Sequence, residues 1–239
     1  VIEFHEAAVS APTIDGDLTI LHPVSLTLAE PKISIIGANG SGKSTLARLI
    51  NGLVEPTAGR VTITPTTPGT QSPGTKPLDT ARDGAAVRRS VGFVFTDPTA
   101  QMIMPTVIED VELSLRRTHR KKPERRAAAE QTLERFGLQA LKDRSVHALS
   151  GGQRQLLAIA SVLATDPAIL IADEPTTLLD LTNSRRIGDL LLGLAQQTII
   201  VTHDLELAAR ADRTLVVEAG RIAFDGEPHA AVAWYRANA

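Results

Sequence analysis

The run Gly37-Ala38-Asn39-Gly40-Ser41-Gly42-Lys43-Ser44 constrains this chain more than any other segment. It matches a phosphate-binding loop and sits where such a loop has to sit, between the apolar strand Lys32 to Ile36 and a helix predicted from about Gly42 to Leu53. Glycines let the backbone curl so that successive N–H groups, from Gly40 to Thr45, point inward at phosphate oxygens. The helix N-terminus adds positive potential, Lys43 supplies a cation, and Ser44 supplies a hydroxyl for Mg²⁺. The bland alternative is a glycine-rich turn, and the strand–loop–helix context argues against it.

The rest of the chain fits an α/β fold around that loop. Residues 1–63 alternate short β-rich runs (VIEF, LTIL, VSLTL, KISII, VTI) with turn residues. Residues 64–83 are crowded with Pro, Gly and Thr and read as a long exposed hairpin loop or an insertion that buries no core. From Thr106 to about Gly137 the pattern turns helical, with Pro123 as a starting residue and Gly137 as a stop. Beyond Leu149, helices to about Ala164 and from Ser184 to Ala195 alternate with the apolar strands 168–172 and 198–202. Two short strands, TLVVE and RIAF, and a helix ending in Trp234 and Tyr235 close the sequence. Apolar strands between helices argue for a parallel sheet covered on both faces. The expected architecture is one domain over 1–239, a P-loop NTPase-like core of mostly parallel sheet with flanking helices. A β-rich N-terminal subdomain and an inserted helical subdomain at about 105–165 complete it.

Composition narrows the function classes. The 25 Lys and Arg against 27 Asp and Glu give a net charge of -2, so no global electrostatic footprint for nucleic acid exists. Aromatic residues make up only 3%, which disfavours a stacking platform for single strands. There is no cysteine, hence no disulfide framework or thiolate zinc site. No apolar run reaches the roughly 18 residues of a membrane span, and VIEFHE lacks the basic and apolar parts of a signal peptide. The chain is therefore expected to be soluble and intracellular.

Two further motifs carry chemistry. Ile169 to Ala172 lead into Asp173 and Glu174, a buried strand ending in two carboxylates. Mg²⁺ in phosphate sites takes one or two carboxylates plus phosphate oxygens and waters, so Asp173 is the natural metal partner and Glu174 the orienter or base for an attacking water. Taken alone, an Asp-Glu pair is as readily a turn or helix start. Leu149-Ser150-Gly151-Gly152-Gln153 opens a second helix whose N-terminus is equally suited to phosphate.

With two phosphate-binding helix starts in one chain, the sequence resembles the ATPase subunit of the ATP-binding-cassette superfamily over nearly its whole length. Leu149 to Gln153 is identical to that family's signature motif, Thr177 to Asp180 resembles its D-loop, and His203 resembles its γ-phosphate-contacting switch histidine. Without the resemblance, His203 reads as a structural strand-end histidine. The resemblance implies ATP and Mg²⁺ as cofactors and a head-to-tail dimer with a second cassette, identical or homologous. In it, Lys43 of one chain and Ser150, Gly151 and Gly152 of the other would enclose each ATP.

Within the superfamily, Val91 to Val111 resembles importers of the energy-coupling-factor type, which take up vitamins and transition-metal ions such as cobalt. Their pattern there, VFQ-N-P…Q…PTV-E-DV, is followed closely except at Thr96, which replaces the Q-loop glutamine. Thr96 keeps one hydroxyl with about two bonds less reach; it contacts the metal through a water, or the role is relaxed. The same substitution resembles the ATPase subunit of bacterial biotin importers. A second departure is Val9 to Pro12, in the expected loop after the first strand, where family members often carry an adenine-stacking ring.

The resemblance further implies integral-membrane coupling and substrate-binding partners, no nucleic acid partner, and a peripheral location on the cytoplasmic face of the inner membrane. Arg116 to Arg126, with seven Lys or Arg and one Glu, reads either as a headgroup or acidic-partner contact or as a solvated helix surface. Met102 to Pro105 reads either as an adaptable docking surface or as core. Two rival functions stay open: a soluble family member acting on nucleic acid or ribosomes, and a low-turnover nucleotide switch.

Overall fold

The computed structural model describes residues 1–14, 16–65 and 76–238. Strands β1 (Ile2–Thr13), β2 (Gly16–Leu28), β4 (Ala58–Ile63) and β5 (Leu78–Asp79) form an antiparallel sheet in the order β2-β1-β4-β5. A second sheet has the order β10-β9-β3-β8-β7-β6, built from β3 (Lys32–Ile36), β6 (Val91–Val94), β7 (Ile169–Asp173), β8 (Gln197–Val201), β9 (Arg213–Glu218) and β10 (Arg221–Gly226). Its strands pair in parallel from β9 to β6, and β10 closes one edge antiparallel. Eight helices accompany the sheets among the described residues: α1 (Lys43–Asn51), α2 (Gly84–Ser90), α3 (Val107–Ser114), α4 (Lys122–Arg135), α5 (Gly151–Leu163), α6 (Leu181–Leu192), α7 (Leu205–Ala208) and α8 (Pro228–Asn238).

The continuous apolar strands feed two cores because alternate side chains leave opposite faces of the sheet. Ile169, Ile171, Ile199 and Val201 join Leu46, Leu49 and Ile50 of α1 and the inner face of the antiparallel sheet. Leu170, Ala172 and Ile200 join the second core, formed with α3 through α6. Each Leu or Ile so buried contributes about 1.5–3 kcal/mol. Helix α1 is thus clamped between the sheets, which fixes the loop that precedes it.

Several expected boundaries move. Val9 to Pro12 is strand, pairing Val9 with Leu21 and Pro12 with Asp17. Pro12 is tolerated because β4 pairs only as far as Ala8, so nothing on that side needs the missing N–H. LTIL and VSLTL are one strand, β2. Leu53 lies beyond α1, which Gly52 ends, and is 45% exposed. Of the expected loop 64–83, residues 66–75 lie outside the described residues; Leu78–Asp79 pair with β4 and Thr80 is buried, so part of the stretch does enter the fold. Helix α6 begins at Leu181 rather than Ser184, since the Asp180 side chain caps it by accepting from Asn183 N at 2.9 Å. Between Thr106 and Gly137 the expected start at Pro123 is found, Pro123 lying in the first turn of α4 after the separate helix α3, whereas α8 continues past Tyr235 to Asn238.

Candidate functional site

Strand β3 delivers the chain to Gly37, and the tight approach there explains the residue type. Gly37 has φ 144°, and a Cβ would lie 2.1 Å from the Val217 carbonyl oxygen on neighbouring β9. Gly42, at φ 104°, then turns the backbone into α1 as its N-terminal flanking residue. Between them the loop folds over the buried ammonium of Lys43, which donates to the Gly37 and Ala38 carbonyls, each at 2.8 Å. Burial pulls the Lys43 pKa below its usual value, and the nearby Glu174 and Asp173 carboxylates push the other way. The Ser41 hydroxyl is buried with no hydrogen-bond partner, an orphan that a phosphate oxygen would satisfy.

The end of β7 meets this loop. Asp173, fully buried, accepts the Ser44 hydroxyl at 2.9 Å on Oδ1 and Arg48 Nη2 at 3.3 Å on Oδ2. Glu174 follows with φ 53°, a left-handed backbone on a non-glycine residue of the kind that accumulates at functional sites. Its Oε2 accepts the Thr177 hydroxyl at 2.9 Å and meets His203 Nδ1 at 2.7 Å, just beyond the end of β8. Asn39 to Thr45, Glu174 and Ile20 line one open cleft of about 280 Å³. Ile20, from β2, is the apolar side chain there.

Ser44 and Asp173 offer hard oxygen ligands suited to Mg²⁺. Among the described residues no three His, Asp or Glu side chains converge as a metal cage. That donor set fits a cation completed by phosphate oxygens and water.

Ser150 to Gln153 are placed at a second locus. Ser150 caps α5: its Oγ accepts from Gln153 N at 3.3 Å, while Gln153 Oε1 accepts from Ser150 N at 2.9 Å. The Ser150 hydroxyl proton is left to donate outward, and the side chain is exposed. Asp180 lies beside it through Asn183, whose Nδ2 donates to Asp180 Oδ2 at 2.7 Å and whose amide packs on Gly152. One chain thus carries a phosphate loop with its carboxylates and, separately, an exposed second helix N-terminus that does not line that cleft.

Thr96 is half-buried just past β6, whose register pairs Val94 with Ala172 and so brings it out of the sheet near Glu174. The turn after it is held by Gln101 Oε1, which accepts from Phe95 N at 3.2 Å. Met102 packs on the second core while Ile103 is 75% exposed. Buried Asp110 fixes this segment by accepting from Ile103 N at 2.9 Å and Met104 N at 3.2 Å. Gln101 and Asp110 belong to the pattern over Val91 to Val111, whose spacing does not reveal these bonds, and no sequence motif marks Arg48 or Asn183. Arg48 was legible in principle, since it stands four residues after Ser44 on the same helix face.

Comparison with known proteins agrees with this geometry. The ABC transporter family model matches residues 21–177. The biotin transport ATP-binding protein BioM of Rhizobium etli is 44% identical over 235 residues, 98% of this chain and 97% of its own length. The nickel import ATP-binding protein NikO of Rhodobacter capsulatus is 40% identical over 203 residues, 82% of this chain and 78% of its own. The dimeric post-hydrolysis structure of the ATP-binding cassette MJ0796, bound to ADP and Pi, aligns with a TM-score of 0.79 at 31% identity. That alignment covers 95% of this chain and 99% of the other.

Proposed function

The chain belongs to the ABC transporter family as an ATP-hydrolysing subunit that energises an importer, and on that premise we propose the roles of its residues and its solute. The observation that carries the proposal is the pairing of Ser44 with Asp173 and of His203 with Glu174, both carboxylates lying near enough to act on the buried Lys43 ammonium. Lys43 and the amides of Gly40 to Thr45 bind the phosphates of ATP, and Ser41 gives its unused hydroxyl to one of them. Ser44 and Asp173 hold Mg²⁺, which when bound neutralises charge on the phosphate oxygens.

Glu174 orients a water and takes its proton as the water attacks the γ-phosphorus, while the bond from that phosphorus to the β–γ bridging oxygen breaks and ADP leaves. His203, hydrogen-bonded to the same carboxylate oxygen, steadies that base and reaches the γ-phosphate. Ser150, Gly151 and Gly152 complete the site of a second cassette, and Asp180 sits at that junction. The dimer so formed opens after hydrolysis, and the motion passes to membrane subunits through the exposed Ile103 segment. Thr96 assists through a water where a longer amide would reach directly.

Biotin is the solute we propose, supported by the likeness to BioM across nearly both full lengths and by Thr96. The transport names of both relatives favour this over action on nucleic acid or ribosomes. Replacing Glu174 by Gln tests the mechanism: phosphate release should fall about 10²–10⁴-fold, the usual worth of a general base, while an ATP-bound dimer accumulates on a sizing column. Hydrolysis within tenfold of the parent would remove Glu174 from the base role and favour the low-turnover switch. Uptake of labelled biotin, nickel and cobalt by cells carrying the subunit with its copurifying membrane partners tests the solute; metal uptake without biotin uptake overturns it.

A further inference from the structure

The basic run Arg116 to Arg126 is not used by the site, and the structure divides it. Arg126 is engaged by Glu112 at 3.4 Å, Glu130 at 3.7 Å and Asp143 at 3.4 Å, and Lys121 by Glu124 at 3.2 Å. Arg125 turns inward and donates to the His119 carbonyl at 3.2 Å and the Arg120 carbonyl at 3.3 Å. With His119 N donating to the Leu115 carbonyl at 2.9 Å, this closes the α3–α4 connection into a built turn. Four cations, Arg116, Arg117, Arg120 and Lys122, are left exposed, and none pairs with a carboxylate among the described residues. In a chain of net charge -2 they concentrate positive potential at one turn.

We propose that this turn is a contact for anionic phospholipid headgroups. Between Arg116 and Arg126 there is no Phe, Tyr or Trp, and the single ring, His119, is half-buried with its Nδ1 held by the Thr118 hydroxyl at 3.0 Å, so the surface offers no open platform for stacking bases. It follows a helix end and lies on a connection, with no exposed apolar anchor of its own. Such a feature suits a charged sheet of headgroups and gives weak, reversible, salt-sensitive attachment. Each cation near an anionic leaflet is worth about fivefold in partitioning, so the turn assists docking on membrane subunits rather than replacing it. The proposal takes its setting from the importer reading, yet ATP hydrolysis reports on that reading separately.

The test is cosedimentation of the full chain with phosphatidylcholine vesicles, with and without phosphatidylglycerol. Binding should require phosphatidylglycerol and weaken as salt shortens the Debye length from about 10 Å at 0.1 M toward 3 Å at 1 M. The R116Q/R117Q variant should partition about 25-fold less well, with unchanged thermal midpoint and ATP turnover. The charge-matched R88Q/R89Q variant, altering two exposed arginines of α2, should retain the larger part of the binding. Equal binding to phosphatidylcholine alone, equal losses in the two variants, or no binding at low salt would overturn the proposal. So would an RNA oligonucleotide that binds through the same arginines more tightly than the vesicles do.

Discussion

Gly152→Ala offers a quantitative test of how the second helix N-terminus is held. A Cβ at position 152 would lie 2.6 Å from Asn183 Oδ1, 2.7 Å from its Cγ and 3.1 Å from its Nδ2. The amide cannot simply swing away, because Nδ2 is bonded to Asp180 Oδ2 and the Asn183 backbone to Asp180 Oδ1. Overpacking of this kind costs about 1–3 kcal/mol, and the helix gains at most about 1 kcal/mol from replacing glycine. The expected net loss is therefore about 0–3 kcal/mol. Removing the obstructing amide with Asn183→Ala should leave only the gain, so the double variant should be more stable than the sum of the singles by about 1–3 kcal/mol. Urea unfolding at 25 °C with a shared m-value measures the cycle. Gly151→Ala is the control, since its Cβ would meet nothing nearer than the Leu178 carbonyl oxygen at 3.6 Å. Additivity within about 0.5 kcal/mol, or an equal loss at position 151, would refute the packing argument.

Thr96→Gln should lower the Mg²⁺ concentration for half-maximal hydrolysis by about fivefold, the worth of one added hydrogen bond; an unchanged Mg²⁺ dependence would show that the position has no part in the metal's surroundings. Nucleotide binding by fluorescence competition should find ATP favoured over GTP by less than about a hundredfold, because Ile20 rather than a ring lines the cleft and about 1–3 kcal/mol of stacking is missing. Acid stability should depend on Glu30. Burial pushes its pKa up, but the backbone N–H groups of Glu30 and Ala29 and the Arg213 guanidinium outweigh this and hold it below 4.5. A depressed carboxylate stabilises the fold above its unfolded pKa and is lost as pH falls through the folded one. Thermal midpoints should therefore drop below about pH 4.5 in the parent and drop less in Glu30→Gln; parallel curves would disprove the linkage.

The readable parts of this chain are those whose information is local. The strand–loop–helix around Gly37 to Ser44, the strand ending in Asp173 and the helix opening at Ser150 each combine residue type, spacing and an adjacent element, and the structure has each of these elements; the Ser150–Gln153 capping box is added by the structure. Harder to read were features set by a distant partner. Val9 to Pro12 looks like a loop in isolation, with Pro12 as punctuation, but β2 across the hairpin makes it strand. Leu78–Asp79 enter the sheet only because β4 offers an edge. Asn183 gains its role from Gly152, thirty-one positions earlier in sequence, and no periodicity in α6 signals that contact.

Those distant contacts also join the residues around Glu174 to those around Ser150, the two loci to which the proposal assigns a half-site each. Glu174 holds Thr177 through its carboxylate. Three residues on, Asp180 caps α6 and holds Asn183, which rests on Gly152 beside the cap of α5. The Ser184 hydroxyl bonds back to the Thr176 and Leu179 carbonyls, which ties the intervening turn to the same helix. On the roles proposed above, a displacement of the Glu174 carboxylate on losing phosphate would have a path to Ser150 through these hydrogen bonds and this packing. If the second cassette's ATP rests on Ser150, each chain's own hydrolysis bears on the nucleotide it presents to its partner, and breaking the link at Asn183 should change the coupling between sites more than the affinity of either.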